Sequence, residues 1–269
     1  MSGQQAVYTH GYHDAVMRSH SWRTAENSAA YLLGELTPGR TVLDVGCGAG
    51  TITADLAALV APGRLTAADV SEDVLAKTRT QVAERGLDNV DFAVADVHAL
   101  RFADASFDVV HAHQVLQHLA DPVLALREMR RVCRPDGVVG VRDGDYASMT
   151  WYPQVPELDE WLDLYRQVAR RNSGEPDAGR RLRSWALAAG FTDVTSTAAA
   201  WCYSAPEDRT LWSETWAERV TDSALARRAV EYGLATPADL RRIADGWRAW
   251  NAAPDAWFAV LHGEVLARG

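Results

Sequence analysis

The sequence predicts a doubly wound α/β fold, a mostly parallel sheet with helices on both faces. Three observations carry this. Short apolar runs rich in β-branched residues recur five times in the first 145 residues, separated by segments of helical spacing. The first run stops at a cluster of glycines that opens a helix. Cap and turn residues such as Ser71, Gly86 and Asp121-Pro122 punctuate the alternation. Parallel neighbours need a crossover connection, and the intervening helices supply it.

The elements follow in order. Residues 41–45 (TVLDV) read as a buried strand, and Ile52, Leu56, Leu59 and Val60 mark a helix that ends near Pro62-Gly63. Residues 65–69 (LTAAD) are the second strand. Ser71 caps the next helix, whose first turn carries Glu72 and Asp73 toward the positive end of the dipole, and Gly86 ends it. Residues 90–97 and 107–112 are further strands. Asp121-Pro122 starts a helix that runs to about Cys133, and residues 134–137 (RPDG) turn into a fifth strand at 138–142.

The second half changes character. Residues 146–180 mix aromatics with Pro and Gly breaks. A helix over 181–191 leads into an extended run at 192–204, a helical block spans about 206–250, and 256–267 closes as a strand. Nine of the ten tryptophans follow residue 150. The expected organisation is an N-terminal helical cap segment (1–40), an α/β core (41–145), a cap insertion (146–180), a core helix and strand (181–205), a helical cap insertion (206–253) and a final core strand (254–269).

A net charge of −9 excludes a broad electrostatic grip on nucleic acid, whose phosphates demand Lys/Arg clusters. The densest basic run, residues 179–183 (GRRLR), reads as a solvated helix face. Cys47, Cys133 and Cys202 lack metal or disulfide spacing. With no basic, apolar leader and no run of about 18 apolar residues, the expectation is a cytoplasmic chain, monomer or homodimer, without membrane contact.

The segment with chemistry in it is 42–53 (VLDVGCGAGTIT). Glycines let the backbone turn tightly and approach a ligand, and the helix start beyond them offers unpaired N–H groups. Asp69, at the end of the second strand, stands where an acid accepts from both ribose hydroxyls. This suits adenosine cofactors in general. A nicotinamide site wants a third glycine where Thr51 stands, and Asp44 so near the loop repels a pyrophosphate yet suits an ammonium and a sulfonium.

The DVGCGAG run resembles the first motif of class I S-adenosylmethionine-dependent methyltransferases. Residues 95–110, 113–122 and 129–139 resemble, in order and spacing, the branch that includes ubiquinone and menaquinone biosynthesis methyltransferases. The likeness covers about residues 20–145. It implies a Rossmann-like methyltransferase sheet of seven strands, the last antiparallel, under a helical cap. It also implies that Gly46 and Gly48 pass close to S-adenosylmethionine with Asp44 behind them. Asp69 would hold the ribose, Val70 lie on the adenine, and Asp96 bond its amino group beside Val97. His113 would border the methionine portion, with Tyr12, His20, Arg23 and Asn27 at its amino-acid end.

Structural alternatives stand beside these roles. Asp44 is also a turn cap, Asp69 a helix-capping acid, Asp96 a solvated loop acid, and His113 and His118 satisfied core histidines. If the acceptor must lose a proton, His113, His118, Asp143 and Asp145 are the candidate bases, since they lie at or past strand C-termini. Arg142 and Tyr146 suit an acidic or phenolic substrate, or a structural part. Trp151, Trp161, Trp212 and Trp216 in the cap hint at an aromatic or apolar small-molecule acceptor. The rival functions are an NAD(P)-dependent oxidoreductase and a non-catalytic cofactor-binding module.

Overall fold

Strands β1 (Val42–Val45), β2 (Leu65–Asp69), β3 (Val90–Val94), β4 (Phe107–His113) and β5 (Cys133–Gly144) are parallel neighbours in the order β3-β2-β1-β4-β5. The coordinates are a computed structural model and describe residues 22–269. Helices α2 (Thr51–Val60), α3 (Glu72–Glu84) and α4 (Pro122–Val132) make the connections after a short α1 (Ala25–Ser28). The caps are those that the residue types dictate: Ser71 Oγ accepts from Val74 N, and Asp121 accepts from Leu124 N ahead of Pro122.

Alternation along the strands feeds both faces. Leu43, Val45 and Val110 enter a core with Leu126 and Met129 of α4. Val42 and Val109 enter another with Leu56 and Val60 of α2.

Three boundaries differ from expectation. β3 stops at Val94, where its partner β2 ends at Asp69; Ala95 N makes the last bond, to Asp69 O, and Ala99 N bonds Asp96 O in the turn that follows. The turn expected at 134–137 is a bulge within β5: Phe107 pairs with Cys133, yet Val109 already pairs with Val138. The third difference is a helix, α5 (Pro156–Arg171), inside the expected cap insertion 146–180, where the sequence reading assigned no element. It buries Leu158, Trp161, Leu164, Tyr165 and Val168, a three-and-four spacing with proline at its first turn.

The sheet has eight strands rather than seven among the described residues. The extra one is β6 (Thr150–Tyr152), which pairs with the first residues of β8 (Trp257–Arg268), while β5 pairs with its later residues. β7 (Asp193–Tyr203), reached through α6 (Leu182–Ala188), runs antiparallel along the whole other edge of β8. These long strands outreach the parallel sheet. Their far ends, with Trp201, Tyr203, Phe258 and Val260, join a further core with α5, α7 (Pro206–Asp222), α8 (Ala224–Glu231) and α9 (Pro237–Ala252).

The tryptophans are explained by that core. Trp161 meets Trp216 at 4.5 Å and Trp247 at 4.8 Å between ring centroids, and all three are buried. Large flat side chains fill the space between these helices and the far ends of β7 and β8.

Candidate functional site

At the C-terminal end of β1 the chain turns through Gly46, Gly48 and Gly50, with φ of +70°, +56° and +84°. Gly46 N and Cys47 N both donate to Ala68 O, at 2.7 and 3.2 Å, which ties the loop to β2. A Cβ on Gly46 would lie 2.5 Å from Val115 Cγ2, and one on Gly50 2.8 Å from Thr78 Cγ2. Conformation and space therefore both demand glycine there. The loop opens α2 and forms one side of a cavity of about 280 Å³.

Three acids line this cavity from successive strand ends. Asp44 is buried in β1. Its Oδ2 accepts from Thr53 Oγ1 at 2.6 Å, and its Oδ1 from His111 Nδ1 at 2.8 Å. Asp69 ends β2 and accepts from Ser71 N at 3.1 Å; burial raises its pKa above the ordinary carboxylate value, against hydrogen bonds from Ser71, Gly48 and Val70 amides. Asp96 is more open. Burial pushes its pKa up, but hydrogen bonds from His98 N and Nδ1, at 2.9 and 2.8 Å, outweigh that and leave it lowered. Val70 and Val97 lie beside these acids on the cavity wall.

The other end is built by residues distant in sequence. His113 closes β4, 5.7 Å from the Trp201 ring, and neither of its ring nitrogens has a partner among the described residues. Burial first, then the charges of Arg142 and Arg23, hold its pKa well below the usual histidine value, so it is neutral at pH 7. His118 is likewise held down, to about 3, by burial and by Arg23 and Arg219. Gln114, next to His113, joins Arg23 to β8: it accepts from Arg23 Nη2 at 2.7 Å, and its amide nitrogen lies 2.8 Å from His262 Nε2. Because His262 Nδ1 faces Val260 O at 3.1 Å, the proton belongs on Nδ1, which leaves Nε2 to accept from Gln114.

Of the residues expected at the site, the structure brings Asp44, Gly46, Gly48, Asp69, Val70, Asp96, Val97, His113, His118 and Arg23 to one cavity, with Tyr146. Tyr12 and His20 fall outside the described residues.

Others are placed elsewhere. Asn27 serves the capping box of α1, its Oδ1 accepting from Thr24 N and its Nδ2 donating to Trp22 O. Asp143 is buried behind the wall, accepting from Gln117 N at 3.1 Å. Asp145 is taken by Arg180, with two contacts of 2.6 Å. Arg142 is sealed in the sheet, donating to Glu264 and stacked 4.8 Å from the Trp201 ring. Both strand-end acids point to internal partners, so position beyond a strand end did not bring them to the cavity. Trp151, Trp161 and Trp216 also lie off its wall; of the four cap tryptophans only Trp212 lines it.

Sequence reasoning missed Gln114, Met149, Trp201 and Arg219. Trp201 arrives on β7 and donates Nε1–H to Asn27 O at 2.7 Å, which ties α1 to β7. Neighbours so far apart in the chain leave no local spacing to read.

The comparisons with known proteins point one way. Residues 36–198 match a family described as a methyltransferase domain. An uncharacterized methyltransferase of Schizosaccharomyces pombe is 32% identical over 272 residues, covering 97% of this chain and 96% of its own. The ubiquinone/menaquinone biosynthesis C-methyltransferase UbiE of Hahella chejuensis is 41% identical over 101 residues, covering 37% of this chain and 41% of its own. In fold, the chain is similar to phosphoethanolamine N-methyltransferase 2 of Haemonchus contortus, with TM-score 0.60, 17% identity, and coverage of 96% of this chain and 58% of the other.

Proposed function

The chain belongs to the methyltransferase domain family and is a class I S-adenosylmethionine-dependent methyltransferase; from that premise we propose that its cavity holds the cofactor along the glycine loop and a small organic acceptor beyond His113. The observation that carries this reading is the continuity of one cavity from Asp69 and Asp96, past Gly46 and Gly48, to His113. Family membership sets aside the nicotinamide oxidoreductase.

The residues fit the cofactor chemically. Asp69 presents a carboxylate oxygen to a ribose diol, with its other bonds made to the backbone that shapes the loop. Asp96 accepts from the adenine amino group, and Val70 and Val97 give the ring apolar contact. Gly46 and Gly48 let the backbone approach without a Cβ. Asp44 acts from behind, its oxygens bonded to Thr53 and His111.

The bound cofactor supplies an activated methyl group on sulfonium sulfur. The protein's part is to align the acceptor with the S–CH₃ bond and keep water out, and such positioning supplies much of the acceleration. His113 lines the cavity next to the proposed acceptor position, neutral and with both ring nitrogens buried and unpartnered among the described residues. Its depressed basicity suits hydrogen bonding better than taking a proton to completion.

The test is calorimetric titration with S-adenosylmethionine and S-adenosylhomocysteine, with Asp69→Ala alongside and NADH as control. Micromolar binding that Asp69→Ala weakens at least about tenfold, roughly 1.4 kcal/mol, supports the reading. Preference for NADH, or no binding of either sulfur ligand, overturns it.

A further inference from the structure

The sheet ends at two edge strands, β3 and β7, which differ in how they meet the solvent. β3 has five residues and carries Asp91, ion-paired with Arg64. A short, charged edge does not invite another strand. β7 has eleven residues, and from Val194 to Tyr203 it contains no charged residue, proline or glycine. Its register with β8 runs unbroken from Asp193 to Tyr203, so no bulge turns it aside.

The phase of the ladder shows which backbone groups are open. Leu261 of β8 directs its carbonyl away from β7, accepting from Asp145 N at 2.9 Å. Opposed residues of an antiparallel pair point both toward or both away from each other, so Ala200, opposite Leu261, turns its N–H and C=O outward. The two-residue period adds Ser196, Ala198 and Cys202. All four are exposed, and their outward groups have no backbone partner among the described residues. Val194, next in the series, has its carbonyl taken by Arg183.

The side chains of Ala198, Ala200 and Cys202 share a face with Leu261 and Trp257 of β8 and Tyr152 of β6, all exposed. At the other end of β7, α6 covers that face, packing Leu182 and Ala186 with Val265, Ala267 and Val194.

We propose that two copies of this chain pair through β7, antiparallel about a two-fold axis at Ala198, so that their sheets become one. Ala198 then lies opposite its own copy, Ser196 opposite Ala200, and Val194 opposite Cys202. Ser196, Ala198 and Ala200 each exchange both backbone bonds with the other copy. The same register sets α6 of each copy beside the bare apolar end of the other's face. This self-complementarity favours a second copy over a foreign strand, for which the small side chains of residues 195–200 shape no selective pocket. The contact is isologous and uses up the open edge, so assembly stops at two. The opposite face of β7 carries Trp201, so the interface braces one wall of the cavity.

The test is sedimentation equilibrium of the full chain across micromolar concentrations, where the expected mass is twice that of one chain. Ala198→Lys sets like charges against each other at the axis and should raise the dissociation constant at least about tenfold. In a Cys202→Ser background, Ala198→Cys should cross-link on mild oxidation, because hydrogen-bonded antiparallel partners stand about 5.5 Å apart between Cα atoms, within disulfide reach. Thr195→Cys, about 20 Å from its own copy in this register, should not.

A monomer at every concentration overturns the proposal and leaves the edge to another extended chain. A dimer that Ala198→Lys does not weaken overturns it too, because the contact then lies elsewhere. So does cross-linking of Ala198→Cys no greater than that of Thr195→Cys. Should the Lys variant fail to fold, the two cysteine variants decide between the same outcomes.

Discussion

Asp44 and His111 face each other across β1 and β4, with carboxylate Oδ1 2.8 Å from imidazole Nδ1 and both side chains buried. An ionised carboxylate only accepts, so Nδ1 carries the hydrogen. The second oxygen is taken by Thr53 of α2. One acid thus pins the strand before the glycine loop to the helix after it and to the neighbouring strand. Thr53→Val keeps the volume and deletes the donor. It should cost about 1–3 kcal/mol in urea unfolding, as an orphaned buried acceptor does, and weaken S-adenosylhomocysteine several-fold. Unchanged binding would mean that the loop holds its shape without this bond.

The contact between Gly46 and Val115 yields a sharper test. Gly46→Ala meets Val115 Cγ2 and must also hold φ near +70°. We expect about 1–3 kcal/mol of lost stability and at least a tenfold loss of S-adenosylhomocysteine affinity. Adding Val115→Ala removes the clash but not the dihedral strain, so the double variant should recover only part of both. Full recovery would place the whole effect in the methyl contact; simple additivity would show that the two residues do not interact.

What the sequence made legible is what local chemistry decides. Ser71, Gly86 and Asp121-Pro122 mark their helix ends because capping is settled within a few residues. The glycine loop was legible because φ and close approach restrict those positions to one residue type. The helix at Pro156–Arg171 was equally readable, since Leu158, Trp161, Leu164, Tyr165 and Val168 keep helical spacing, but the Pro and Gly breaks around it left the segment without an assigned element. Asp143 and Asp145 show the limit. Position just beyond the expected fifth strand, 138–142, suggested a catalytic base, whereas their partners, Gln117 N and Arg180, lie 26 and 35 residues away. Trp201 and Arg219 reach the cavity only through the packing of β7 and α7, which no local pattern encodes.

Asp143 makes a prediction about pH. Burial pushes its carboxyl up to about 8, against hydrogen bonds from Gln117 and Leu116 amides, and Oδ2 has no partner among the described residues. The folded state therefore keeps a proton that the unfolded chain loses near pH 4. The stability this contributes is complete below about pH 4 and lost as pH rises through about 8, with a slope of at most about 1.4 kcal/mol per pH unit. His113, His118 and His262 act oppositely, since their pKa values are lowered and their contribution fades as pH falls below about 6.5. Asp143→Asn deletes only the first effect. Urea unfolding at pH 5, 6, 7 and 8 should show the variant gaining on the parent as pH rises. Parallel curves would mean that Asp143 is ionised in the folded protein.

Trp161 tests whether the helical layer and the sheet are coupled. It lies wholly inside the tryptophan core, against Trp216 of α7 and Trp247 of α9, and does not line the cavity. Trp161→Ala opens a void that should cost about 3–5 kcal/mol, and the helix it unseats, α7, carries Trp212 and Arg219. The glycine loop, Asp69 and Asp96 hang instead on β1–β3, whose packing partners are α2 to α4. At a temperature where the variant stays folded, S-adenosylhomocysteine should bind within about twofold of the parent, a difference of about 0.4 kcal/mol. If that affinity falls much further, the helical layer and the sheet form one cooperative unit. In that case α7 would shape the cofactor end as well, because the loops after β1 and β4 would depend on the same packing.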